Sequence, residues 1–256
     1  MLRVLYSDMR ASLLNKGIRI LALVFATYLI GYVIIMSILL HVIAGNVRLN
    51  ADDVLTVYNE TSIFVITAAT LIIYVNEFMN GTIRNKLCSG SKRSEIFLAA
   101  IINSAFMATL LAIMCQTLEL ILSLIFTNGL YGLTLADAAY SFSETTISGI
   151  AIAIFSTSLI MMMGGTNASY VVGLGIALAF KVFGLSVQQK LYPEKGLVSI
   201  KGAKLAIYIF YDRFVPYAHC SGTPRWTVTD VSLGCAVLIL LSVITGLIVF
   251  NKKELK

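Results

Sequence analysis

Long apolar runs separated by short polar segments, most of them basic, are the dominant pattern of this chain. A helix needs about 20 apolar residues to cross a bilayer core. Six runs meet or approach that length, at about 19–43, 61–76, 96–126, 147–163, 168–185 and 231–250. The second is the weakest, because Asp52, Asp53 and Glu60 crowd its start. The third is long enough to tilt or to project beyond the membrane. Gly164-Gly165-Thr166-Asn167 predicts a tight turn between the fourth and fifth. The first run is too long for a removable signal peptide and lacks a small-residue cleavage site.

Three segments outside these runs carry patterns of their own. In residues 2–17, Leu2, Leu5, Met9 and Leu13 recur at helical spacing, with Arg3, Asp8 and Arg10 elsewhere on the wheel. That predicts a short amphipathic helix along the inner interface, ending at Gly17. In the loop from Asn76 to Glu95, Asn80-Gly81-Thr82 offers a cap. Ile83 and Leu87 then sit four apart beside Arg84 and Lys86, and Ser89-Gly90-Ser91 breaks the helix. Such a helix suits docking onto a soluble partner, although a solvated basic loop that only enforces topology would read the same way. From Gly202 to Trp226, two apolar runs flank Tyr211-Asp212-Arg213. They are too short to cross and too apolar for open water, which predicts a re-entrant or interfacial outer hairpin.

Composition agrees that lipid is the main solvent. Of 256 residues, 58% are hydrophobic and 12% charged, with a mean hydropathy of +0.88, against roughly 25% charge in soluble domains. Disorder, a disulfide scaffold and an ordinary soluble enzyme are poor fits. The net charge of +6 is read through topology rather than nucleic acid. With the N-terminus inside, eleven basic residues fall in inner segments: Arg3, Arg10, Lys16, Arg19, Arg84, Lys86, Lys92, Arg93, Lys252, Lys253 and Lys256. The two short outer loops hold only Arg48, while the long outer stretch 186–230 holds six more. Long loops weigh less in this rule, so both termini are expected to be cytoplasmic. The expected fold is therefore all-α: one polytopic domain over 1–256, with six transmembrane helices, an N-terminal interfacial helix and a re-entrant outer hairpin.

Catalytic motifs are absent. No GxSxG, HExxH or Walker A pattern occurs. Cys88, Cys115, Cys220 and Cys235 form no CxxC pair, and His41 and His219 lack sequence neighbours that would complete a metal site. Intramembrane polar residues are costly and so attract functional readings. Glu119 is the clearest, about 35 Å along the third run. It reads either as half of an ion pair with Lys181 or Arg213, or as a substrate-facing acid. Lys181 is placed to snorkel outward and Asn103 to join helices. Small residues four apart, Ala22 and Ala26, Ser169, Gly173 and Ala177, Ser242 and Gly246, predict close helix packing and a dimer.

The loop after the second run adds a family resemblance. Glu77, Gly81-Thr82-Ile83-Arg84-Asn85-Lys86-Leu87, Gly90, Arg93 and Ile96 together resemble the cytoplasmic loop of type-2 ABC transporter permeases. The six-span layout and the tail Asn251-Lys252-Lys253-Glu254-Leu255-Lys256 are similar too. The resemblance implies that Gly81–Leu87 is a coupling helix, with Ile83 and Leu87 as docking knobs, Arg84, Asn85 and Lys86 around them, and Glu77 anchoring its start. It also implies a separate ATP-binding cassette subunit holding ATP and Mg, a second permease copy (identical or different), and an outer gate at Tyr211, Asp212 and Arg213; Glu119 is a candidate for the translocation path on its intramembrane polarity alone. Export of antimicrobial or amphipathic peptides across a bacterial cell membrane is the leading expectation. Drug or lipid efflux follows, and a non-ATP-driven channel or structural subunit is the alternative class.

Overall fold

A computed structural model describes residues 1–44, 48–127, 134–193, 201–220 and 227–253. Lys195, Gly196, Arg225, Trp226 and the tail from Glu254 to Lys256 lie outside them. The described residues form helices α1 (Leu2–Leu14), α2 (Lys16–Ala44), α3 (Ala51–Leu55), α4 (Val57–Met79), α5 (Thr82–Cys88) and α6 (Arg93–Phe126). They continue as α7 (Leu135–Met163), α8 (Ala168–Leu191), α9 (Ala203–Phe214), α10 (Pro216–His219) and α11 (Val228–Lys252). Six segments are long and apolar enough to cross a membrane: Lys16–Ile43, Ala51–Met79, Arg93–Phe126, Ala136–Met163, Ala168–Leu191 and Val228–Lys252.

These six sort into two layers. In the spans carrying α4, α6 and α7, 61% of the apolar window is buried, against 17%, 22% and 28% in α2, α8 and α11. The inner three make the core, and the outer three turn broad apolar faces outward, as lipid-facing helices do. Tyr74, Phe97, Ile160 and Phe250 meet in the largest apolar cluster. The stripes on α8 and α11 are used within this bundle. Gly173 meets Leu71 of α4, and Gly246 meets Phe97 of α6, so these stripes are not left free for a second copy.

Several boundaries differ from the sequence reading, each for a local reason. The fourth run was expected from 147, yet α7 begins at Leu135. Thr134 and Asp137 form a reciprocal capping box there, the Thr134 hydroxyl accepting from the Asp137 N–H at 3.1 Å. The polar turns that follow are buried in the protein rather than left as loop, with Glu144, Thr145 and Ser148 all inaccessible. The second span gains α3, whose Asp52 and Asp53 sit in its first turn and oppose the helix dipole. α1 ends at Leu14 rather than Gly17, with Asn15 as the capping residue, because the Asn15 side chain accepts the Gly17 N–H at 2.8 Å at the start of α2. Gly164 and Gly165, at φ 80° and 61°, make the tight turn between α7 and α8.

One end of the bundle gathers Met1, Lys253, α1, α5 and the α7–α8 turn. The Lys253 ammonium donates to the Met162 carbonyl at 2.7 Å. Arg93 donates to the Phe250 carbonyl at 3.3 Å, and the N-terminal amine lies 3.6 Å from Glu95. The basic segments set apart in the sequence thus share one end, and α9 and α10 sit at the other.

Candidate functional site

At the basic end, Gly81 adopts a left-handed conformation (φ 68°) that closes α4 and opens α5. No side chain caps this start; the expected cap from Asn80 and Thr82 is replaced by the glycine turn itself. The helix then shows two faces. Ile83 is 1% exposed, packed among Tyr74, Ile96 and Phe97, with Leu87 half-buried on the same cluster. Arg84, Asn85 and Cys88 point outward. The expected docking knobs Ile83 and Leu87 are therefore anchors of α5 in its own protein, because burial against the core outweighs exposure of an isoleucine. The free edge is polar.

Lys86 also turns inward. Its ammonium lies 2.7 Å from Asp8 of α1 and 2.8 Å from Glu77 of α4. Two carboxylates around one ammonium leave one excess negative charge out of water. Burial pulls the Lys86 pKa down, but Glu77 and Asp8 outweigh it and hold it above the ordinary value. Burial pushes the Asp8 carboxyl up despite Lys86, and its Oδ2 has no partner. Nearby, Asn103 donates to Ser12 at 2.8 Å and to the Tyr74 hydroxyl at 3.1 Å, and Tyr74 donates to the Ala100 carbonyl at 2.6 Å. Polar side chains of α1, α4, α5 and α6 are thereby tied into one unit. The inward face of α1 is Leu5, Asp8, Met9 and Ser12, while Leu2, Tyr6 and Leu13 remain exposed beside Arg3 and Arg10.

At the opposite end, Tyr211, Asp212 and Arg213 each reach a different support. Tyr211 donates to the Phe180 carbonyl of α8 at 2.7 Å, and burial holds its hydroxyl pKa up. Asp212 accepts from Tyr192, just past α8, at 2.7 Å. Arg213 pairs with Asp230 of α11 at 2.9 Å. Pro216 starts the single turn α10, which carries Tyr217 stacked on Phe180 at 4.5 Å and His219 against Glu144 of α7 at 3.2 Å. The structure brings the three consecutive residues together as a clasp across α8 and α11.

Glu119 is not part of that clasp. Its expected ion pairs are absent among the described residues, since Lys181 donates to the Cys220 carbonyl at 3.1 Å and Arg213 to Asp230. Glu119 instead accepts from the Tyr58 backbone N–H in the first turn of α4. A carboxylate there satisfies an orphan N–H and meets the positive end of the helix dipole. Glu119→Ala should cost about 1–3 kcal/mol by stranding a buried donor, and Glu119→Gln should recover most of it through the amide carbonyl. Thermal unfolding in detergent compares them; equal damage from both variants would contradict a capping role.

The Glu144–His219 pair was missed in the sequence. Glu144 lies in a Ser/Thr-rich stretch ahead of the fourth apolar run, and the partner of His219 is on another helix, far away in sequence. Among the described residues, no group of three His, Cys, Asp or Glu is placed to hold a metal. No family model matches the chain, and no curated protein matches it in sequence.

Proposed function

We propose that the chain is the membrane-spanning permease subunit of an ATP-driven exporter of the type-2 ABC kind. It would sit in a bacterial cell membrane with both termini cytoplasmic, paired with a second permease copy. ATP and Mg would be held by a separate ATP-binding cassette subunit. The observation that carries this reading is α5: a short helix at the basic end, open on its Arg84, Asn85 and Cys88 edge and locked on the other to α1 and α4 through Lys86. A partner pressing on that edge moves α4 directly, because Glu77 and Ile83 leave α5 no slack. Asp8 and Ser12 turned inward, with Leu2, Tyr6 and Leu13 outward, support an α1 lying in the inner interface.

The apolar outer face of α9, with Ile207, Ile209 and Phe210 exposed, supports a re-entrant segment that dips into the outer leaflet as a gate. Amphipathic peptides are the favoured cargo, by resemblance. Because Ile83 is buried, aspartate there would damage the core rather than probe docking. Arg84→Glu is the cleaner variant. It should lower permease-stimulated ATP hydrolysis on the order of tenfold in proteoliposomes by reversing the charge of the docking rim, with thermal stability unchanged. Undiminished hydrolysis would remove α5 from the coupling path.

A further inference from the structure

The exposed side of α1 carries charge of one sign. Asp8 is the only acid between Met1 and Ala44, and it is buried against Lys86. Arg3, Arg10, Lys16 and Arg19 are all exposed. Glu95 is taken by the N-terminal amine and Glu77 by Lys86, and among the described residues neither Arg3 nor Arg10 has an ion-pair partner. Arg10 also lies on a groove of about 490 Å³ between α1 and α6, with walls of Tyr6, Met9, Leu13, Leu14 and Phe106. We propose that this groove holds an acidic phospholipid of the inner leaflet, with its phosphate on Arg10 and an acyl chain along Met9, Leu13 and Phe106.

Depth makes a lipid a better fit here than a soluble anion. Ser12 of α1 accepts from Asn103, about 15 Å along α6 from Arg93. The intervening stretch 96–102 is wholly apolar, and Phe106 lies about a turn beyond Asn103. α1 therefore leans along apolar helix surface instead of standing above it. A guanidinium at that level is costly without a counter-ion, and among the described residues the chain supplies none. A phospholipid brings phosphate and apolar chain in one molecule, and Arg10 can meet the phosphate with two N–H donors. The Tyr6 hydroxyl, four residues before Arg10 on the same face, adds a neutral donor. Arg19 is held close by donating through Nε to the Leu13 carbonyl at 3.3 Å. With Arg3 and Lys16 it favours a headgroup of net negative charge over one that carries its own ammonium. The site rests on the placement of α1 at the inner interface given above, but on neither cargo nor an ATPase. Absence of a nucleotide-binding partner leaves it standing, and absence of lipid binding leaves the exporter reading standing.

Native mass spectrometry of the full chain in mild detergent tests this, with phosphatidylglycerol, phosphatidylcholine and inorganic phosphate as probes. The unsubstituted chain should retain phosphatidylglycerol on the order of tenfold more tightly than phosphatidylcholine. Excess inorganic phosphate should not displace it. Arg10→Gln should weaken phosphatidylglycerol retention about tenfold. Lys252→Gln, which removes the same charge from an exposed position at the end of α11, should leave it unchanged. Leu13→Gln keeps every charge and should weaken it severalfold by spoiling the chain groove. Equal retention of the two lipids, displacement by phosphate, or unchanged retention in Arg10→Gln would each overturn the proposal. Equal weakening in Arg10→Gln and Lys252→Gln would overturn it too, as general surface charge. If Arg10→Gln does not fold, Leu13→Gln decides in its place, and undiminished retention there overturns the proposal.

Discussion

Lys86→Met should lower unfolding stability by about 3–5 kcal/mol, the cost of leaving buried charge without its partner. The residue lies between Asp8 at 2.7 Å and Glu77 at 2.8 Å, and methionine leaves those two carboxylates facing each other out of water. Unpaired and buried, they must take up protons to stay folded. The folded variant therefore binds more protons than the unfolded chain, and its deficit should shrink as pH falls through the carboxylate range. Asp8→Asn with Glu77→Gln, added to Lys86→Met, should restore stability to within about 1 kcal/mol. Thermal unfolding in detergent at pH 5 and pH 7.5 reads all of this. A pH-independent loss, or no rescue by the triple variant, would mean that Lys86 acts through packing alone.

Gly234→Ala should unseat α9 from α11. A Cβ at this position would run into the Phe214 carbonyl oxygen and fall 2.9 Å from its Cα. These are backbone atoms, so no side-chain rotation relieves the contact, and α9 itself must move. Overpacking of this kind costs about 1–3 kcal/mol. Arg213 and Asp230 flank the contact, so their clasp should loosen with it. The expected readouts are a lower melting temperature and faster maleimide labelling of Cys220, with the other spans retained by circular dichroism. Unchanged labelling would show that the close approach of Gly234 and Phe214 does not hold the segment.

The six spans were legible because lipid demands long apolar runs, and that demand is written in consecutive residues. Their polar extensions were not. The first turns of α7 carry Ser141, Ser143, Glu144, Thr145 and Thr146, a composition that normally means loop. Glu144 and Thr145 are buried and the others half-buried, with Gln116 of α6 and His219 of α10 against this stretch, which is a tertiary fact. The amphipathic spacing of α5 was visible, but not its direction: the apolar edge Ile83 and Leu87 faces the protein's own core, and Lys86 goes with it. A basic residue in a loop is read as solvated unless its acids are near in sequence, and Asp8 is far away. Glu119 shows the same blindness, since its partner is a backbone N–H that no charge pattern announces. The outer Tyr211-Asp212-Arg213 was legible as unusual, but its three separate supports were not.

These features combine into a simple mechanical picture. Asp8, Glu77 and Lys86 make the basic end rigid, so a push at the Arg84 edge passes into α4 and the core helices packed on it. The α9–α10 segment is held at the far end through Tyr211, Arg213 and His219. In the proposed exporter, force would enter at the Arg84 edge and the closure would lie at the α9–α10 end.

That account depends most on a separate ATP-hydrolysing partner. The direct measurement is to purify the affinity-tagged chain from its native membranes in mild detergent, identify what accompanies it, and assay vanadate-sensitive ATP hydrolysis. The account predicts a stoichiometric nucleotide-binding subunit carrying a Walker A motif, with hydrolysis that is lost when the two are separated. Purification of the chain without any such subunit, together with unaided ion conduction in planar bilayers, would contradict it.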